Sequence, residues 1–160
     1  MPVTAYVGLG ANLGDASAAL DAAEAALAAL PGTRLAARSP RYRTAPVDAT
    51  GPDYLNAVAA LDTELSAEAL LGALHEIELR HGRERPYRNA PRTLDLDLLL
   101  HGEARIDSPH LVVPHPRLHE RAFVLVPLAD LAPDLVVPGQ GRVRDLLDTV
   151  ADQRIERLTP

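Results

Sequence analysis

Pro91-Arg92-Thr93-Leu94-Asp95-Leu96-Asp97-Leu98-Leu99-Leu100 sets two carboxylates two residues apart in a run of leucines. A run of this length, following a proline and ending at Gly102, reads as a buried or half-buried strand. Residues two apart on a strand face the same way, so Asp95 and Asp97 project side by side from an apolar element. Like charges that close repel in a low dielectric. A hard divalent cation offsets the repulsion, and carboxylate oxygens suit magnesium. Leu/Asp alternation is also what the solvated face of an edge strand shows. The upstream loop, Arg83-Glu84-Arg85-Pro86-Tyr87-Arg88-Asn89-Ala90-Pro91-Arg92, favours the metal reading. Guanidinium forks on a loop that can close, next to paired carboxylates, suit a magnesium-bound polyphosphate.

Outward from this strand the chain divides into short alternating elements. Residues 3–9 read as a first strand, and Gly8-Leu9-Gly10-Ala11-Asn12-Leu13-Gly14 as a tight glycine turn. Asp15 is placed to cap an alanine-rich helix over residues 16–30, which Pro31-Gly32 stops. Residues 33–39 and 42–44 read as extended, 45–52 as loop and 54–65 as a long strand. Ser66 caps the next helix, with Leu70, Leu71, Leu74, Ile77 and His81 on one face, and Gly82 ends it. After the Asp95/Asp97 strand a hairpin across Gly102 to residues 105–107 is expected. A short strand at 111–113 is closed by Pro114-His115-Pro116. Residues 121–131 read as a helix interrupted or bent at Pro127, 143–150 as a last helix and 154–158 as a closing strand. Adjacent strands joined by short turns predict an α+β domain with a mainly antiparallel sheet, one domain over residues 1–160.

Composition narrows the chemistry. With no cysteine, disulfides and thiolate chemistry are excluded. All 16 basic side chains are arginine, so a lysine Schiff base and a Walker A lysine are excluded too. The net charge of -6 argues against a nucleic-acid partner. No basic leader precedes a long apolar core and no run approaches a membrane span, so a cytoplasmic protein is expected.

Other residues admit both a functional and a structural reading. The glycine loop misses the dinucleotide template: Gly8 and Gly10 fit, but the third position falls on Leu13, which favours a plain turn with φ > 0. His115, held between two prolines, suits a phosphate donor or a simple turn. His115 and His119 do not form a helical zinc pair, because Pro116 intervenes. Phe123, the only phenylalanine, suits either the core or stacking on a flat heterocycle. Tyr54 and Asn56 share a strand face, where an aromatic beside an amide can hold a polar ring.

Taken together these motifs resemble the 6-hydroxymethyl-7,8-dihydropterin pyrophosphokinase family. The resemblance is carried by Gly8 to Gly14, Tyr42-Arg43-Thr44-Ala45-Pro46, Asp53-Tyr54-Leu55-Asn56-Ala57, Ile77-Glu78 with Gly82-Arg83, Pro91 to Asp97, and Val113-Pro114-His115-Pro116 with Arg121-Ala122-Phe123. It implies a ferredoxin-like fold with helices on both faces of the sheet. It also implies transfer of the terminal pyrophosphate of ATP to the pterin hydroxymethyl group, with release of AMP, in folate biosynthesis. By carry-over, Asp95 and Asp97 hold two Mg2+ ions and, with Arg83 and Arg92, are catalytic. Arg83, Arg85, Arg92, His115 and Arg121 bind ATP phosphates, and Glu78 and Leu98 lie on the nucleotide side. Thr44, Pro46, Val47, Tyr54, Asn56 and Phe123 form the pterin pocket. A free-standing monomer acting on small molecules is expected. The chain departs from the family pattern at Tyr87-Arg88-Asn89, where several members carry a tryptophan, and at His75, His110 and Val112.

Two other readings use the same residues. A magnesium-dependent phosphohydrolase or nucleotidyltransferase would share the carboxylates and arginines but not need Tyr54, Asn56 and Phe123. A nucleotide-sensing module would bind ATP without forming AMP.

Overall fold

The computed structural model describes residues 2–12, 16–44, 54–81 and 94–158, with His81 by its backbone alone. Its central sheet is built from β1 (Val3–Ala11), β2 (Thr33–Arg38), β3 (Tyr42–Thr44), β4 (Tyr54–Thr63) and β5 (Asp95–His101). A short β10 (Glu156–Arg157) closes the far edge. The order is β10-β3-β4-β1-β5, with β2 also paired to β4, and every described pairing is antiparallel. Both expectations, an antiparallel sheet and helices on its two faces, hold.

One face is covered by α1 (Ala16–Ala28) and α2 (Ala67–His81). Ser66 Oγ caps α2 by accepting the Ala69 N–H at 3.1 Å. The helices bury Leu20, Leu27, Leu70, Leu74 and Ile77 against Val7, Leu9, Leu94, Leu96 and Leu98 of the sheet. The other face is covered by α3 (Ala122–Leu131) and the single turn α4 (Val143–Leu146), which continues as a 3-10 turn over Leu147–Val150. Leu125, Leu128 and Val143 pack there on Val58, Leu99 and Leu100. Removing these leucines from water on both faces supplies the main stabilisation, at about 25 cal/mol per Å2 of apolar surface.

Several elements differ from the sequence reading. β1 runs on through Gly8 and Gly10 to Ala11, and neither glycine has positive φ. What they provide is space. A Cβ on Gly8 would lie 3.5 Å from the Leu99 side chain, and one on Gly10 would lie 3.2 Å from Asn56 Oδ1. The expected hairpin across Gly102 does not form: β6 (Ile106–Asp107) pairs with β7 (Val112–Val113) instead. Gly102, at φ 56, turns the chain and donates its N–H to Thr4 O at 2.9 Å. The helix near Pro127 runs through that proline as one element. A ribbon of β8 (Val136–Val137) and β9 (Gly141–Arg142) had no counterpart in the reading.

β5 also carries a bulge. Tyr6 pairs with Leu100 and Val7 with Leu98, so Leu99 is the extra residue. A bulge puts neighbouring side chains on one side of the sheet, and Leu99 and Leu100 both enter the α3 core. Ahead of it the strand alternates. Leu94, Leu96 and Leu98 face α1 and α2, while Asp95 and Asp97 face the α3 side.

Candidate active site

Strand register assembles the site. Tyr42 on β3 pairs with Asn56 on β4, Asn56 pairs with Gly10 on β1, and Gly10 pairs with Asp95 on β5. The next row is Val58, Gly8 and Asp97. Cross-strand partners share a face, so Asn56 and the two aspartates stand on the α3 side of the sheet with glycine between them. Neighbouring strands lie about 4.8 Å apart, which sets Asn56 and Asp95 roughly 10 Å from each other across a floor with no side chain. Among the described residues, the Gly10 position puts no side chain between them, which leaves a furrow.

One wall is the β3/β4 edge. Asn56 is buried, and its Nδ2 donates to Thr44 Oγ1 at 2.7 Å. That bond orients the amide. Tyr54 pairs with Thr44 and is half-buried on the same face. These three sequence-predicted pterin residues therefore come together. Pro46 and Val47 lie outside the described residues.

The opposite wall is β5 and the chain that follows β7. The Leu99 carbonyl accepts the His115 N–H at 2.9 Å, so the bulge residue anchors the histidine backbone. His115 senses the charges of Asp97, Arg121 and Arg117. Burial pushes its imidazole below the ordinary value; Asp97 opposes this, and Arg121 and Arg117 add to it. His115 Nδ1 accepts the backbone N–H of Arg117 at 3.2 Å. An accepting Nδ1 carries no proton, so the neutral ring holds its proton on Nε2, as a donor. Arg121 stands at the start of α3 with its guanidinium 5.4 Å from the Phe123 ring centroid. Asp97, His115, Arg121 and Phe123 thus form a linked series on one side of the furrow.

Two expected residues stand differently from the rest. Glu78 is buried at the α2/β5 contact, where its Oε2 accepts the Leu96 N–H at 2.8 Å. It holds the one residue that separates the two aspartates. The Leu98 side chain is buried in the α1/α2 core, which leaves its backbone as the part able to meet a nucleotide. Arg83, Arg85 and Arg92 lie outside the described residues.

The donor set fits magnesium. Asp95 and Asp97 are half-buried carboxylates on one face, each paired across the ladder with a glycine that adds no side chain of its own. No group of three or more His, Cys, Asp or Glu gathers among the described residues. Two carboxylates, with phosphate and water completing an octahedron, are how magnesium is usually held in phosphoryl-transfer sites. The sequence reading missed Arg117, whose N–H sets the histidine tautomer, and the Leu99 bulge. Both depend on register and on a backbone contact, which carry no composition signal.

Comparison with known proteins gives the family. Residues 6–133 match the family model described as 7,8-dihydro-6-hydroxymethylpterin-pyrophosphokinase. A 2-amino-4-hydroxy-6-hydroxymethyldihydropteridine pyrophosphokinase of Pseudomonas aeruginosa is 51% identical over 96% of this chain and 95% of its own. One of Methylorubrum extorquens is 48% identical over 96% and 98%. A solved Plasmodium falciparum HPPK-DHPS triple mutant superposes with TM-score 0.75 at 14% identity, over 92% of this chain and 44% of that longer one. The last shows a shared fold. With a family model spanning most of its length and near-half identity to full-length relatives, the chain belongs to the 7,8-dihydro-6-hydroxymethylpterin-pyrophosphokinase family.

Proposed function

We propose that this chain transfers the terminal pyrophosphate of ATP to the hydroxymethyl group of 6-hydroxymethyl-7,8-dihydropterin, a step of folate biosynthesis. The observation that carries the reading is the Asn56–Gly10–Asp95 row, which sets an oriented amide opposite a carboxylate pair across an open floor. Asn56 reads the polar edge of the pterin, and Tyr54 and Phe123 pack on its faces. Asp95 and Asp97 would hold two Mg2+ ions, which when bound would neutralise phosphate charge and lower the pKa of the attacking hydroxyl.

The alcohol oxygen gives up its proton to solvent and forms its bond to the β-phosphorus as the bond from that phosphorus to the α-phosphate oxygen breaks. AMP leaves with the added negative charge. His115 Nε2–H and Arg121 face that charge as fixed donors, and preorganised donors cost little reorganisation during reaction. Arg83, Arg85 and Arg92 bind the triphosphate as guanidinium donors that balance its charge. Leu98 contributes backbone to the nucleotide side, and Glu78 acts from beneath the strand. No described helix is long and apolar enough to cross a membrane; the proposal is of a cytoplasmic monomer acting on small molecules.

Phosphorus NMR of the protein with ATP, magnesium and the pterin tests the reaction. Pterin-dependent AMP together with a pterin diphosphate ester is expected. ADP or free phosphate would instead favour a kinase or hydrolase, and bound ATP without turnover a sensing module.

A further inference from the structure

We propose that Gln153, beyond the segment that matches the family model, is a positioning residue for Arg121. Arg121 sits where a 3-10 turn (Leu118–Glu120) ends and α3 begins, with extended backbone at φ -126 and ψ 117. Its own side chain does not cap the helix. The first N–H groups of a helix need acceptors, and here one comes from far along the chain. Gln153 Oε1 accepts the Ala122 N–H at 2.8 Å. The same amide donates from Nε2 to the Glu120 carbonyl at 2.8 Å.

The Glu120 carbonyl belongs to the peptide plane before Arg121, and the Ala122 N–H to the plane after it. The rotation between those planes is set by φ and ψ of Arg121 alone. One rigid amide bound to both therefore fixes the direction in which the Arg121 side chain leaves the backbone. The Gln153 N–H donates to Val150 O at 3.0 Å, so the clamp rests on a turn of its own. Phe123 does not need the clamp to the same degree, because its ring is partly buried against the α3 core.

The inference rests on the proposed contact of Arg121 with the triphosphate, and a double-mutant cycle separates the two. Gln153→Ala is expected to raise KM for ATP by about three- to ten-fold, the worth of one or two ordinary hydrogen bonds, with KM for the pterin unchanged. Gln153→Glu keeps the acceptor and loses the donor, so it shifts KM for ATP in the same direction. Melting temperatures of both variants identify any loss through unfolding. In an Arg121→Ala background, Gln153→Ala should add nothing, which a merely structural role would not produce. Additive losses, or an unchanged KM for ATP in Gln153→Ala, would overturn the positioning role and leave the Arg121 contact standing. Full activity of Arg121→Ala would overturn that contact and, with it, the role of Gln153.

Discussion

The buried carboxylate of Glu78 accepts the N–H of Leu96 at 2.8 Å, so α2 holds β5 at the one residue between Asp95 and Asp97. Removing that acceptor strands a buried N–H, which costs about 1–3 kcal/mol. Glu78→Ala should lower stability by that amount in urea unfolding. It should also raise the magnesium concentration needed for half-maximal turnover, because the carboxylates lose their common support. Unchanged magnesium dependence in a folded variant would confine Glu78 to stability.

Asp95→Asn and Asp97→Asn keep shape and lose charge. Each should reduce AMP formation by about 100-fold or more, in line with removal of one preorganised electrostatic group, with circular dichroism unchanged. Chelating magnesium from the native protein should abolish turnover, and adding it back should restore it. Near-native rates in either variant would sink the metal assignment.

Gly10 tests the furrow. A Cβ there would lie 3.2 Å from Asn56 Oδ1. The Asn56 amide must then give way by a few tenths of an ångström. A 1 Å misplacement costs about 100-fold, so Gly10→Ala should raise KM for the pterin by roughly ten-fold. Its KM for ATP should hold, and a change confined to ATP would place the pterin elsewhere.

Tyr42 gives an alkaline signature. It is pushed up from 10.0 to about 12 by burial, then by its hydrogen bond to Asp130 and by that carboxylate's charge. Because the folded value is the higher, the contribution is complete below pH 10 and is lost as pH rises through about 12. With no lysine or cysteine, side chains that titrate in this range are tyrosines. Tyr42→Phe should therefore lose less melting temperature than the native chain between pH 10 and 12. Parallel curves would show that burial and the bond to Asp130 do not raise the Tyr42 hydroxyl.

Local sequence determined the pieces. The Leu/Asp alternation from Leu94 to Asp97 sorts itself into an apolar face and a carboxylate face by the two-residue period of a strand. Ser66 and the leucines of α2 state a helix by capping and spacing. The family motifs, from Gly8 to Phe123, are also carried by residues in order. Each signal acts over a few residues, so the chain expresses it without reference to the rest of the fold.

Tertiary structure decided what those pieces face. Gly8 and Gly10 look like turn glycines in isolation, yet they lie in a strand because β4 and β5 pair with β1 on both sides through them, and at Gly10 the Asn56 amide leaves little space for a Cβ. β6 pairs with β7 and not with β5, and the extra residue Leu99 offers its carbonyl to His115. Gln153 reaches Arg121 across 32 residues of chain, by bonds to residues 31 and 33 positions away. Such contacts depend on which surfaces packing brings together, and pairing between distant segments leaves no periodic trace in either segment. The residues of the site were therefore readable singly, while their common furrow and its supports exist only once the sheet has closed around them.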